Sequence, residues 1–196
     1  MSEPFRSRGR AVPPPDRTYR TRRAVRIVVL AEGEIGPRVL MFNDRDPGTP
    51  GSSWWVLPGG GIDGEETARE AARRELAEEA GYVVDEGDLY GPVAVRVVLH
   101  GYSDQVTAQS EEIFVVTVDS EFEVDISGHT EFERRSVVGH AWRTVGDETE
   151  DLLWPADLAR LVRLVRQPET WPVDLGTVEE SVVPVALGHQ GAAQTD

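Results

Sequence analysis

Between Gly60 and Tyr82 the chain reads GGIDGEETAREAARRELAEEAGY, and four of its six glutamates, Glu66, Glu75, Glu78 and Glu79, stand out together with Arg74. Wound at 100° per residue, Ala68, Ala71, Ala72 and Leu76 form an apolar stripe with Glu75 and Glu79 in its middle, and Glu78 lies one turn on from Glu75 and Arg74. A solvated acidic helix would turn its charges away from such a stripe. Carboxylates on a face meant for burial are costly unless a cation compensates them. Mg²⁺ suits the task, because it prefers oxygen ligands, keeps several waters and is held by a few carboxylates together with substrate phosphates. The chemistry to expect is therefore metal-assisted work on a phosphate compound.

The flanking residues form the elements that must hold those groups. Ser52 to Leu57 is strand-like in its aromatic and branched content, and Pro58-Gly59-Gly60-Gly61 ends it in a loop whose bare backbone offers carbonyls to a metal or amides to phosphate. Thr67 to Ala80 has no internal Gly or Pro, and Gly81 stands where a helix C-terminal glycine belongs. The unit is strand, loop, helix.

At this spacing the stretch resembles the Nudix box, G-x5-E-x7-R-E-U-x-E-E-x-G-U with U apolar, and all seven fixed positions match. The resemblance implies hydrolysis of a nucleoside diphosphate linked to another group. It implies that Glu75, Glu78 and Glu79, helped by the Gly60 carbonyl, hold Mg²⁺ or Mn²⁺, and that Glu66 and Arg74 orient them. For the general base, Glu75 is the first candidate and Glu112, or its neighbour Glu111, the second. A nucleoside triphosphate or similar small nucleotide is the leading substrate class. ADP-ribose, a nucleotide sugar or a diadenosine polyphosphate is the alternative, and a regulator that binds nucleotide without turnover is the alternative of another kind.

Candidates outside the box are weaker. Trp54 and Trp55 alternate sides of their strand, so one faces the core and the other the cleft, and Trp55 is taken as the substrate contact. Phe42, Tyr102 and Phe114 are further aromatic candidates, with Arg26 and Arg96 for phosphate. Arg134 and Arg135 either clamp a phosphate or pair with Glu131 and Glu133. His100 and His140 are isolated and read as structural.

The remaining elements agree with one domain. Strands are expected at Ala24–Glu32, Arg38–Asn43, Pro92–Tyr102, Glu112–Asp119 and Gly139–Val145, with a closing helix at Trp154–Val165. This order gives an α/β fold, an α/β/α sandwich around a mixed sheet, which is also the fold the resemblance implies. The domain is expected over residues 23–166, after a disordered Arg/Pro-rich extension at 1–22 and before an arm or mobile tail at 167–196.

With 196 residues, no cysteine and no apolar run of membrane-spanning length, the chain reads as soluble and cytoplasmic. Its net charge of -15 argues against membrane and general nucleic-acid binding. Residues 1–23 hold seven Arg against Glu3 and Asp16, a net of +5, which leaves -20 on the body. Such a body must bring divalent cations or local arginines to any phosphate it handles, and RNA would require the basic tail. A homodimer is compatible with these features.

Overall fold

The box helix packs on one face of a curled, eight-stranded mixed sheet and a C-terminal helix packs on the other. The computed structural model describes residues 11–34, 36–131, 133–146 and 150–185. In chain order the elements are β1 (Thr18–Gly33), β2 (Gly36–Asp44), β3 (Trp54–Val56), α1 (Ala68–Ala80), β4 (Tyr90–Gly101), β5 (Gln105–Val118), α2 (Glu133–Ser136), β6 (Gly139–Thr144), β7 (Leu153–Trp154), α3 (Leu158–Val165) and β8 (Val173–Glu179). The sheet runs β7-β3-β2-β1-β5-β4-β8, with β6 also paired to β2. The α/β sandwich expected from the sequence is the architecture found.

Strand alternation divides the core into two layers. Val25, Ile27 and Val29 of β1 and Phe114 and Val116 of β5 pack with Ala71, Ala72 and Leu76 of α1. Val28 and Leu30, with Ile113 and Val115, meet Leu158, Leu161 and Val162 of α3 on the other face. By the same alternation Glu112 falls on the α1 face and Glu111 on the α3 face.

The sheet reaches beyond residues 23–166 on both sides. β1 begins at Thr18 and runs parallel to β5 from Thr18↔Gln105 to Ala31↔Val118, so Thr18–Arg22 belongs to the sheet. The polar TYRTR run hid this strand because most of its side chains stand outside the apolar core. Beyond residue 167, β8 pairs in parallel with β4 through Ala94↔Val173 and Val98↔Val178. Most of this edge strand is solvent-facing, which explains its lack of a clear period. The remainder of both expected extensions, residues 1–10 and 186–196, lies outside the described residues.

Candidate active site

Local sequence dictates how the box is held. Thr67 accepts the Glu70 N–H at 3.2 Å and the Glu70 carboxylate accepts the Thr67 N–H at 2.8 Å, a reciprocal cap that starts α1. Gly81 ends the helix at φ +67, donating to the Ala77 carbonyl at 3.1 Å. The glycine loop lies along β1: Val25 donates to the Gly60 carbonyl and Ile27 to that of Pro58, both at 2.9 Å. At Gly59 the backbone has φ +134 and a Cβ would collide with the Val25 carbonyl, so only glycine suits the position.

Arg74 ties the glutamates into one unit. Its Nη2 donates to Glu66 Oε1 at 2.6 Å and to the Gly61 carbonyl at 2.9 Å, its Nε to Glu66 Oε2 at 3.2 Å, and its Nη1 to Glu75 Oε1 at 2.9 Å and Glu78 Oε2 at 3.2 Å. The bond from Arg74 holds the Glu66 carboxyl below its ordinary range, and the same bond pushes the Arg74 guanidinium up. Glu79 is fixed from two sides. Its Oε2 accepts the Gly59 N–H at 2.8 Å, and its carbonyl accepts His129 Nε2 at 3.0 Å, which places the imidazole proton on Nε2.

Glu79 also lines a cleft shared by Arg22, Phe42, Arg45, Trp54, Tyr102 and Trp154. Trp54 and Trp154 stack with centroids 4.4 Å apart, and Tyr102 lies 6.2 Å from Trp54. Both indoles are buried, so the wall is a closed aromatic layer flanked by Arg22 and Arg45 beside Glu79.

Behind the cleft runs a buried ionic chain. Arg26 Nη1 donates to the Leu57 and Gly59 carbonyls at 3.2 and 2.9 Å, and Arg26 Nε to Glu111 Oε1 at 3.1 Å. Arg96 donates to Glu111 Oε2 at 2.6 Å and grips both oxygens of Glu180 at 2.7 and 3.1 Å. Burial alone would raise the Glu111 carboxyl, but Arg96 and Arg26 outweigh it and bring it down to about 2. His100 Nδ1 donates to the Glu180 carbonyl at 2.8 Å, and burial pushes its imidazole down to about 3.

The sequence-derived candidates divide accordingly. Glu66, Arg74, Glu75, Glu78, Glu79 and Gly60 come together. Arg96 serves the buried chain, and Arg26, although it also lines the cleft, turns Nε to Glu111 and Nη1 to the Leu57 and Gly59 carbonyls. Trp54, not Trp55, faces the cleft; Trp55 lies on the α3 side, with the Arg143 guanidinium 4.8 Å over its ring. Arg135 pairs with Glu131 on the exposed surface and Arg134 reaches the Ser127 carbonyl, so neither lines the cleft, although the following Ser136 does. Glu112 pairs with Arg23 at 3.3 Å. His129 and Glu180 had no readable signal, since a single histidine or a glutamate in an apolar tail is ordinary until the fold shows what it meets.

The box suits a hard divalent cation in donor chemistry. Its groups are carboxylate oxygens and a backbone carbonyl, and Gly60 stands against Glu75 so closely that a Cβ there would lie 2.6 Å from Glu75 Cδ. Among the described residues no three acidic or imidazole side chains already converge on one point.

Comparison with known proteins gives this arrangement its class. A profile of the NUDIX domain matches residues 20–165. Among solved structures, the NUDIX domain of Shewanella oneidensis NrtR, cocrystallised with ADP ribose, is 19% identical over 76% of this chain and 89% of its own, with a TM-score of 0.51. A MutT protein from Bacillus halodurans is 16% identical over 82% and 91%, also at 0.51. A MutT/nudix family protein from Enterococcus faecalis is 19% identical over 62% of this chain, which spans only 43% of that protein, at 0.38. At these identities the likeness is one of fold. No curated protein sequence matches the chain. The profile covers most of the residues, and the chain belongs to the NUDIX-domain family. It is accordingly a hydrolase acting on acid anhydrides of phosphorus. Among the described residues, no helix is long and apolar enough to cross a membrane.

Proposed function

We propose that the chain is a Mg²⁺- or Mn²⁺-dependent pyrophosphohydrolase of nucleoside triphosphates or of another nucleoside diphosphate linked to a further group. The observation that carries this reading is the Arg74 hub, which aligns Glu66, Glu75 and Glu78 while Glu79 lies at the mouth of an aromatic cleft. Glu75, Glu78, Glu79 and the Gly60 carbonyl would hold the cation. When bound, it supplies charge neutralisation on the phosphates and a lowered pKa for water.

The chain's own groups account for the rest. Tyr102 is the half-buried ring in the cleft and would contact the base, over a Trp54–Trp154 pair already stacked on itself, and Arg22 and Arg45 are the cleft arginines that would contact an anion. Water attacks one phosphorus, its oxygen forms the new P–O bond, the bond to the bridging oxygen breaks, and the proton passes to a carboxylate. Glu75, which stands against Gly60 within the Arg74 hub, is favoured as that base over Glu112, which lies on β5 outside the hub.

The test is release of phosphate, pyrophosphate or nucleotide from a panel of nucleoside triphosphates, ADP-ribose, nucleotide sugars and diadenosine polyphosphates, with Mg²⁺, Mn²⁺ or EDTA. Metal-dependent turnover of one class identifies the substrate. Binding across the panel without turnover overturns the enzyme reading in favour of a nucleotide-binding regulator.

A further inference from the structure

The family profile ends at residue 165, yet the chain continues through β8 and sends a carboxylate back into the interior. Glu180 is 6% exposed, beside Arg96 at 6%, Glu111 at 2% and Arg26 at 8%. The strap that carries it is anchored from several directions. Glu180 N–H donates to the Leu99 carbonyl at 3.0 Å, and Val182 and Val183 both donate to that of Gly101 at 3.1 and 3.0 Å. Arg17 clamps the outer side through the Val183 and Pro184 carbonyls at 3.2 and 2.9 Å. Any side chain at Gly101 would collide with the Val183 carbonyl, so β4 is shaped to receive the strap.

Each link hands its charge to the next. Glu180 takes both terminal nitrogens of Arg96, which leaves Arg96 Nε for one oxygen of Glu111. The other Glu111 oxygen takes Arg26 Nε, and Arg26 Nη1 is thereby aimed at the carbonyls of Leu57 and Gly59. Gly59 in turn donates its N–H to Glu79. The two arginines and two glutamates cancel in charge. Without Glu180 the buried set would carry a net positive charge, and Arg96 would compete with Arg26 for Glu111.

We propose that Glu180 is a positioning residue of the hydrolytic site, acting through Arg96, Glu111 and Arg26 to hold the Leu57–Gly59 loop against Glu79. The C-terminal strap is thus a working part of the site. This rests on the proposed function only in what Glu79 is held for; the positioning itself is a property of the metal-free protein.

The test compares Glu180→Gln with Val178→Ala, which thins the packing of the same β8 without touching the chain of charges. The first readout is amide hydrogen exchange at Gly59 in the full-length protein without metal or substrate. Glu180→Gln is expected to speed exchange there by about tenfold or more, whereas Val178→Ala leaves it unchanged. The second readout is the Mg²⁺ concentration giving half-maximal turnover, expected to rise by about tenfold in Glu180→Gln only, the range seen when supports of metal ligands are lost. If Glu180→Gln does not fold, Glu180→Asp, which keeps the charge but shortens its reach, is measured in the same way. Unchanged exchange and Mg²⁺ dependence in the folded variant, or equal effects from Val178→Ala, would overturn the positioning role. Absence of turnover in the parent would overturn the proposed function instead, and the exchange result would still decide the role of Glu180.

Discussion

Gly60 and Glu75 occupy one another's space: a Cβ built on Gly60 would lie 2.6 Å from Glu75 Cδ and 2.7 Å from Oε2. The glycine is needed here for close approach, since its φ is not in the left-handed region. Gly60→Ala must therefore push the Glu75 carboxylate away or displace a loop already bonded to β1 through the Gly60 carbonyl. A displacement near 1 Å at a reacting group costs on the order of 100-fold in rate. The expected outcome is a fall in kcat of that order with a thermal midpoint close to the parent's. A variant with normal kcat would show that Glu75 is not the group that matters.

Glu79→Gln keeps the shape of the side chain and an oxygen for the Gly59 N–H while removing one negative charge. If Glu79 holds the cation, turnover should drop by at least about 100-fold, and more Mg²⁺ should be needed for half-maximal activity. Turnover assays across a Mg²⁺ titration decide the matter, and near-parental values would remove Glu79 from the metal site.

Most of the box was legible because its chemistry follows helical periodicity: Glu75 and Glu79 fall among Ala68, Ala72 and Leu76 whatever else the chain does. What lay beyond reading depends on long-range pairing. Trp54 and Trp55 differ only in strand face, and the side that opens onto a cleft is set by Trp154, a hundred residues away. Arg26 and Arg96 looked like free cations because the carboxylate between them, Glu111, meets them only across the β1–β5–β4 pairing. Polar strand residues at Thr18–Arg22 concealed the start of β1 for a related reason, since their pairing with β5 is made by backbone rather than by an apolar stripe.

The buried chain also makes stability depend on pH through groups of opposite sign: burial raises the Glu180 carboxyl, so its contribution is lost as pH rises, whereas His100 and Glu111 lose theirs as pH falls. His100 has its folded pKa pushed down to about 3 by burial, from an ordinary value of 6.5. The unfolded state then binds the extra proton, so stability present above pH 6.5 declines as pH falls through that value toward 3. Glu111, held down to about 2 from 4.5, adds a second loss that starts only below about pH 4.5. Each group contributes a slope of about 1.4 kcal/mol per pH unit within its window. Urea unfolding from pH 7 to 4 should show His100→Phe flattening the curve between 6.5 and 4.5. An unchanged slope in that variant would mean that His100 is protonated or exposed in the native protein.

Arg74→Lys separates charge from geometry in the hub. The guanidinium serves Glu66 with two nitrogens, Glu75 and Glu78 with a third, and still reaches the Gly61 carbonyl. A lysine ammonium is a point charge with three donors and cannot span oxygens set on both sides of a planar fork. With positive charge retained, the electrostatic compensation of the glutamates survives while their mutual alignment is lost. The expected outcome is a fall in kcat of about tenfold to 100-fold with a smaller change in KM, because alignment is used in the reaction step more than in holding the nucleotide in the cleft. Parental kcat in Arg74→Lys would mean that Arg74 acts by charge alone. An equal loss from Glu66→Gln would instead support the hub, since Glu66 touches the other glutamates only through Arg74.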